Sequence, residues 1–100
     1  MHSREQIIRL LESNRDKILS LGVRKLSLFG SYAKGLQNAA SDIDLLVEFD
    51  PSKKKFDNFM ALYDLLEDIF GNKVELITKE SLKKFILDQI RKEMIDVHIS

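Results

Sequence analysis

The chain has 100 residues, enough for one hydrophobic core and no second one. Hydrophobic residues make up 44% and charged residues 32%, and 16 basic side chains cancel 16 acidic ones, which argues against disorder and against a global field aimed at nucleic acid or an anionic membrane. The absence of cysteine excludes a disulfide framework, a zinc-finger pattern and a thiol nucleophile. Neither a signal-peptide apolar region nor a run of membrane-spanning length is present, so a cytoplasmic protein with no membrane contact is expected.

In chain order, Ser3 and Gln6 have the spacing of a capping box, and Ile7, Ile8, Leu10, Leu11, Ile18, Leu19 and Leu21 recur with helical spacing as far as Gly22. Ser13-Asn14 is a place for a break, since both side chains compete for backbone hydrogen bonds. Val23 to Phe29 reads as the first strand, with Leu26 and Leu28 on one face. Gly30 permits a sharp turn, and Ser31 is placed to cap a short helix through Leu36. A small polar loop, Gln37 to Ser41, leads to a second strand from Asp42 to Phe49, which Asp50-Pro51-Ser52 ends.

Phe56, Phe59, Met60, Tyr63, Leu66 and Phe70 recur at i, i+3, i+4, i+7, and Leu62, Leu65 and Ile69 widen the stripe. The spacing predicts a long helix with this stripe in the core, stopped by Gly71-Asn72. Val74 to Thr78 is the third strand, with Val74 and Leu76 on one side and Glu75 and Ile77 on the other. Ser81 is expected to open a last helix that buries Leu82, Phe85, Ile86 and Ile90 and leaves Lys83, Lys84, Arg91 and Lys92 in water. Met94 to Ser100 reads as extended. Its apolar residues Ile95, Val97 and Ile99 form either a folded strand or an exposed strip for a partner.

The chemistry concentrates between Leu28 and Phe49. Period-2 geometry puts Asp42 and Asp44 on one strand face, where two like charges repel unless a cation lies between them. Magnesium takes a few carboxylates plus substrate phosphates, so the stretch reads as a nucleotide-and-metal site. Glu75, a mid-strand acid facing away from its buried neighbours, is the candidate third ligand and a candidate proton acceptor. Gly30 and Ser31 offer a close backbone approach and a hydroxyl for phosphate, and Lys34 follows one helical turn later. Taken alone, Gly-Ser is an ordinary turn, Glu75 a surface glutamate, and Lys53-Lys54-Lys55 a solvated loop. The glycines do not make a P-loop, the two aspartates do not open an EF-hand, and Ser31 lacks a histidine base. His2 and His98, with no partner spacing, read as solvated.

Gly30-Ser31, ten intervening residues, then Asp42-x-Asp44, with apolar residues flanking both parts, resembles the nucleotidyltransferase signature of the DNA polymerase beta superfamily. Nearly the whole chain is similar to its short branch, the minimal nucleotidyltransferases (MNT). The superfamily often has aspartate where Glu75 stands and arginine where Lys34 stands. The resemblance implies one α/β (α+β) domain over residues 1–100, built on a small mixed three-stranded sheet backed by helices. It further implies transfer of AMP from ATP, with two magnesium ions, to a hydroxyl of a partner. In MNT antitoxins that hydroxyl is a tyrosine of a HEPN-type RNase toxin. Asp42, Asp44 and Glu75 would be the catalytic metal ligands, and Gly30, Ser31 and Lys34 the nucleotide contacts. Direct nucleic-acid binding is not expected. The alternatives are a non-catalytic module that masks its partner, or transfer to a small-molecule hydroxyl.

Overall fold

The computed structural model describes residues 2–71 and 73–99. Asn72 and Ser100, assigned above to a helix stop and to the tail, lie outside the described residues. The first helical region is two helices, α1 (Arg4–Ser13) and α2 (Arg15–Ser20). Ser3 and Gln6 close the capping box on α1, each side chain bonded to the other's backbone amide. The break falls at Asn14, whose side-chain amide donates to the Leu10 carbonyl at 2.8 Å.

The remaining elements are β1 (Val23–Phe29), α3 (Gly30–Lys34), β2 (Ile43–Phe49), α4 (Phe56–Phe70), β3 (Val74–Thr78), α5 (Lys84–Arg91) and β4 (Ile95–Val97). The sheet has four strands in the order β3-β2-β1-β4, against the three expected. The added strand is the tail, which pairs antiparallel with β1 through Leu26 and Val97, Ser27 and Asp96, and Leu28 and Ile95. Val97 and Ile99 are buried, so the tail is a folded edge and not an exposed apolar strip. Strands β1 and β2 are antiparallel, while the crossover through α4 makes β2 and β3 parallel.

One sheet face carries Leu26, Leu28, Leu45, Val47, Val74 and Val97, and it joins Ile7 and Leu11 of α1, Ile18 of α2 and Leu62, Leu66 and Phe70 of α4 in one buried cluster. His2 closes one corner of this core, correcting the solvated reading. Its ring meets Phe70 edge-on at 5.9 Å, and its Nε2 donates to the Phe70 carbonyl at 2.9 Å. The other sheet face carries Asp44, Leu46 and Glu75. Among the described residues no helix is long and apolar enough to cross a membrane.

Part of the apolar stripe expected on α4, and most of that expected on α5, lies outside the core. Phe56 is 76% exposed and Met60 36%, while Phe59 packs against the core and Leu62, Leu66 and Phe70 are buried in it. Ser81 does not open α5. Its hydroxyl donates to the Thr78 carbonyl in a short 3-10 turn, and α5 starts three residues later. That delay buries Leu87 and leaves Phe85 64% exposed and Ile86 on the surface. Leu87→Ala should therefore cost about 2–4 kcal/mol in urea denaturation, while Phe85→Ala stays within about 0.5 kcal/mol of the parent. The reverse ranking would place α5 on the wrong face.

Candidate active site

Three elements deliver the site. A tight turn, in which the Asn38 side chain accepts from the Ala40 amide and the Ser41 hydroxyl accepts from the Asn38 amide, feeds the chain into β2. The Ile43 amide then donates to the Lys73 carbonyl at 3.0 Å, which locks the start of β2 to the approach to β3. In that register Asp44 stands directly beside Glu75, and on its other side beside Phe29, the last residue of β1.

Asp44 and Glu75 are neighbouring carboxyls within hydrogen-bonding reach across the β2–β3 ladder, with Asp42 close enough to act on Asp44 electrostatically. Burial, the bond to Glu75, and the charges of Glu75 and Asp42, in that order, push the Asp44 carboxyl up to about 7. Asp42 lies just ahead of the paired strand and is turned outward, its Oδ2 4.0 Å from the Lys73 Nζ. Among the described residues no three acidic or histidine side chains already form a closed metal cage. The donor set nevertheless fits magnesium, an oxygen-seeking ion that commonly takes one or two carboxylates and completes its shell with substrate phosphates and water. Two carboxyls in contact, one of them holding a proton near neutral pH, are the arrangement a divalent cation relieves.

Gly30 has a second task that its motif spacing does not reveal. Its φ is +73°, and a Cβ built there would lie 2.9 Å from Asp44 Cγ and closer still to Asp44 Oδ2. The missing side chain is the space that the Asp44 carboxylate occupies. Ser31 is not a cap. The helix begins at Gly30 with Phe29 in the capping position, and Ser31 lies inside the first turn. So short a helix is held by its surroundings: Tyr32 and Ala33 are in the core, and Arg4 Nη1 donates to the Ala33 carbonyl at 3.0 Å.

Lys34 ends α3 and borders an open cleft of about 410 Å³ next to Gly30. The opposite wall comes from the C-terminal end of α5 and the turn after it, through Gln89, Ile90, Lys92 and Glu93. Sequence reasoning placed Ile90 in the buried stripe and Lys92 in water, and singled out neither Gln89 nor Glu93. Lys92, a second cation facing the same space as Lys34, had no motif to mark it.

The family model of the nucleotidyltransferase domain matches residues 7–97. The chain is similar to the protein adenylyltransferase MntA of Thermococcus cleftensis, at 35% identity over 96 residues, covering 93% of this chain and 94% of that one. Among solved structures it resembles a minimal nucleotidyltransferase at 28% identity and a TM-score of 0.73, covering 88% of this chain and 93% of the other. It also resembles a chain in a mutant form of the toxin-antitoxin pair MntA-HpeT, at 26% identity and a TM-score of 0.65, covering 96% and 72%.

Two outcomes follow from the geometry. Gly30 and Gly35 share a φ of +73°, yet a Cβ at Gly35 would meet nothing within 4 Å. Gly30→Ala and Gly35→Ala therefore carry the same backbone cost of about 1 kcal/mol, and Gly30→Ala should cost at least about 1 kcal/mol more by thermal unfolding, from the clash with Asp44. Asp44 gives a pH signature in metal-free buffer. Its folded pKa of about 7 lies above its ordinary 3.8, so its stabilising contribution is full below 3.8 and is lost as pH rises to about 7. Asp44→Asn should accordingly be more stable than the parent at pH 8 and lose that advantage by pH 4, followed by urea midpoints at both values.

Proposed function

The chain belongs to the nucleotidyltransferase domain family, and on that premise we propose that it moves AMP from magnesium-bound ATP onto a hydroxyl of a partner protein, acting as the antitoxin of a toxin-antitoxin pair. The observation that carries the reading is the Asp44–Glu75 carboxyl pair, set beside Asp42 and against the side-chain-free Gly30. An adenylyl acceptor on a protein is supported by the name of the Thermococcus relative, and a toxin as that protein by the MntA-HpeT likeness. A tyrosine of a HEPN-type toxin is the acceptor that the MNT resemblance favours.

In the reaction the acceptor oxygen forms a bond to the α-phosphorus of ATP, the bond from that phosphorus to the bridging oxygen breaks, and pyrophosphate leaves with the electron pair. Asp42, Asp44 and Glu75 would hold magnesium, which when bound offsets negative charge at the attacking and leaving oxygens. Glu75 is exposed on the strand edge beside Asp44, where it can take the proton of the incoming hydroxyl. Gly30 leaves room for the Asp44 carboxylate, and Lys34 and Lys92 line the cleft, where they would meet the phosphates. The domain spends its helices on one core, so the walls that position an acceptor come from the partner. With the tail folded, the exposed apolar side chains that favour a protein partner include the two aromatics Phe56 and Phe85. The same pair also favours the second reading, a module that masks its partner without modifying it.

The test is mass spectrometry of a HEPN-type partner incubated with this protein, ATP and magnesium. Added adenylate mass on the partner is expected, at least about 100-fold reduced by Asp42→Asn or Asp44→Asn and less reduced by Glu75→Gln. No mass increase leaves the masking module standing. Full magnesium-dependent transfer by the Asp42→Asn, Asp44→Asn double variant would overturn the metal assignment.

A further inference from the structure

Lys34 is already engaged. Its Nζ lies 3.1 Å from Glu93 Oε2, and both side chains line the cleft beside Gly30. The acid is held by rigid structure. The Glu93 and Met94 amides both donate to the Ile90 carbonyl, at 3.0 and 2.9 Å, in the turn that joins α5 to β4. Strand β4 is in turn bonded to β1, with Ile95 opposite Leu28, so the end of β1 that starts α3 and the turn that carries Glu93 are neighbours across one sheet ladder. The two walls of the cleft are therefore fixed relative to each other, and the ion pair spans them.

The pair is built to exchange. Its side chains are 44% and 50% exposed, and an ion pair in water contributes little and yields to a stronger partner. A triphosphate or pyrophosphate carries several charges where Glu93 carries one. Glu93 is the acid lining this space beside the cations Lys34 and Lys92.

We propose that Glu93 is a positioning residue for the polyphosphate group: a counter-anion that keeps Lys34 aimed into the cleft, gives it up when the triphosphate enters, and takes it back as pyrophosphate leaves. This rests on the nucleotidyltransferase reading and adds to it a residue that sets phosphate affinity without touching the reacting atoms. Removing the acid frees Lys34 and removes a repulsion, so binding tightens and release slows.

Isothermal titration of the parent, Glu93→Gln, Lys34→Met and the double variant, each with magnesium-ATP and with inorganic tripolyphosphate at one ionic strength, tests this. Glu93→Gln is expected to bind both ligands about three- to ten-fold more tightly, and the gain should fall below about two-fold when Lys34 is already Met. Equal or weaker binding by Glu93→Gln overturns the proposal, and so does an undiminished gain in the Lys34→Met background, which would mark a general charge effect. A parent that binds neither ligand overturns the nucleotide reading itself, an outcome distinct from a parent that binds and a variant that matches it.

Discussion

The parallel register between β2 and β3 is the constraint on which the site depends. It sets Asp44 beside Glu75, and because β1 pairs with β2 on the other side, it also sets Asp44 against Phe29 and the glycine that follows. One slip of a residue in either pairing would turn the carboxylates into the core and the valines and leucines into water. The helical crossover α4 exists to make that parallel pairing, and its buried residues Leu62, Leu66 and Phe70 secure the sheet from behind. The register is thus specified by hydrophobic burial on one face, and it sets the candidate carboxylates side by side on the other.

The same arrangement works against the fold locally. Partial burial and the neighbouring Glu75 and Asp42 carboxylates push the Asp44 carboxyl up to about 7, and its ionisation costs stability. Ion pairs do little to offset this. Those of Lys73 with Asp42, Lys34 with Glu93 and Lys54 with Glu80 all lie on the surface, where solvent screens them. The apolar cluster beneath the sheet supplies the stability that lets the upper face stay strained, the usual division between a core and the site it supports.

Much of this was legible in the sequence where a local rule had no competitor. The capping box at Ser3, the break at Asn14, the limits of β1 and β3, the alternation that separates Glu75 from Val74 and Leu76, and the spacing from Gly30 to Asp44 all rest on neighbouring residues and came through intact. The exposed start of α4 and the buried face of α5 did not, because a helical period shows that a helix has an apolar stripe and not how much of it the rest of the fold covers. Phe56 and Phe85 lie on their stripes and beyond the covered surface. The tail was open between two readings, since three alternating apolar residues form a strand only if an edge of the right direction is vacant, and β1 provides one.

The sequence by itself determined the family and singled out Asp42 and Asp44 as the candidate carboxylates, because spacing along one strand and across one turn is a local property. Tertiary structure decided what spacing cannot carry. It brought Glu75 into contact with Asp44 and gave Gly30 the task of clearing room for that carboxylate. It also set Lys92 and Glu93 opposite Lys34 although about sixty residues separate them. The physical reason is that side chains from distant segments meet only after the sheet has fixed the direction and register of its strands, and that register is set by what the other face buries.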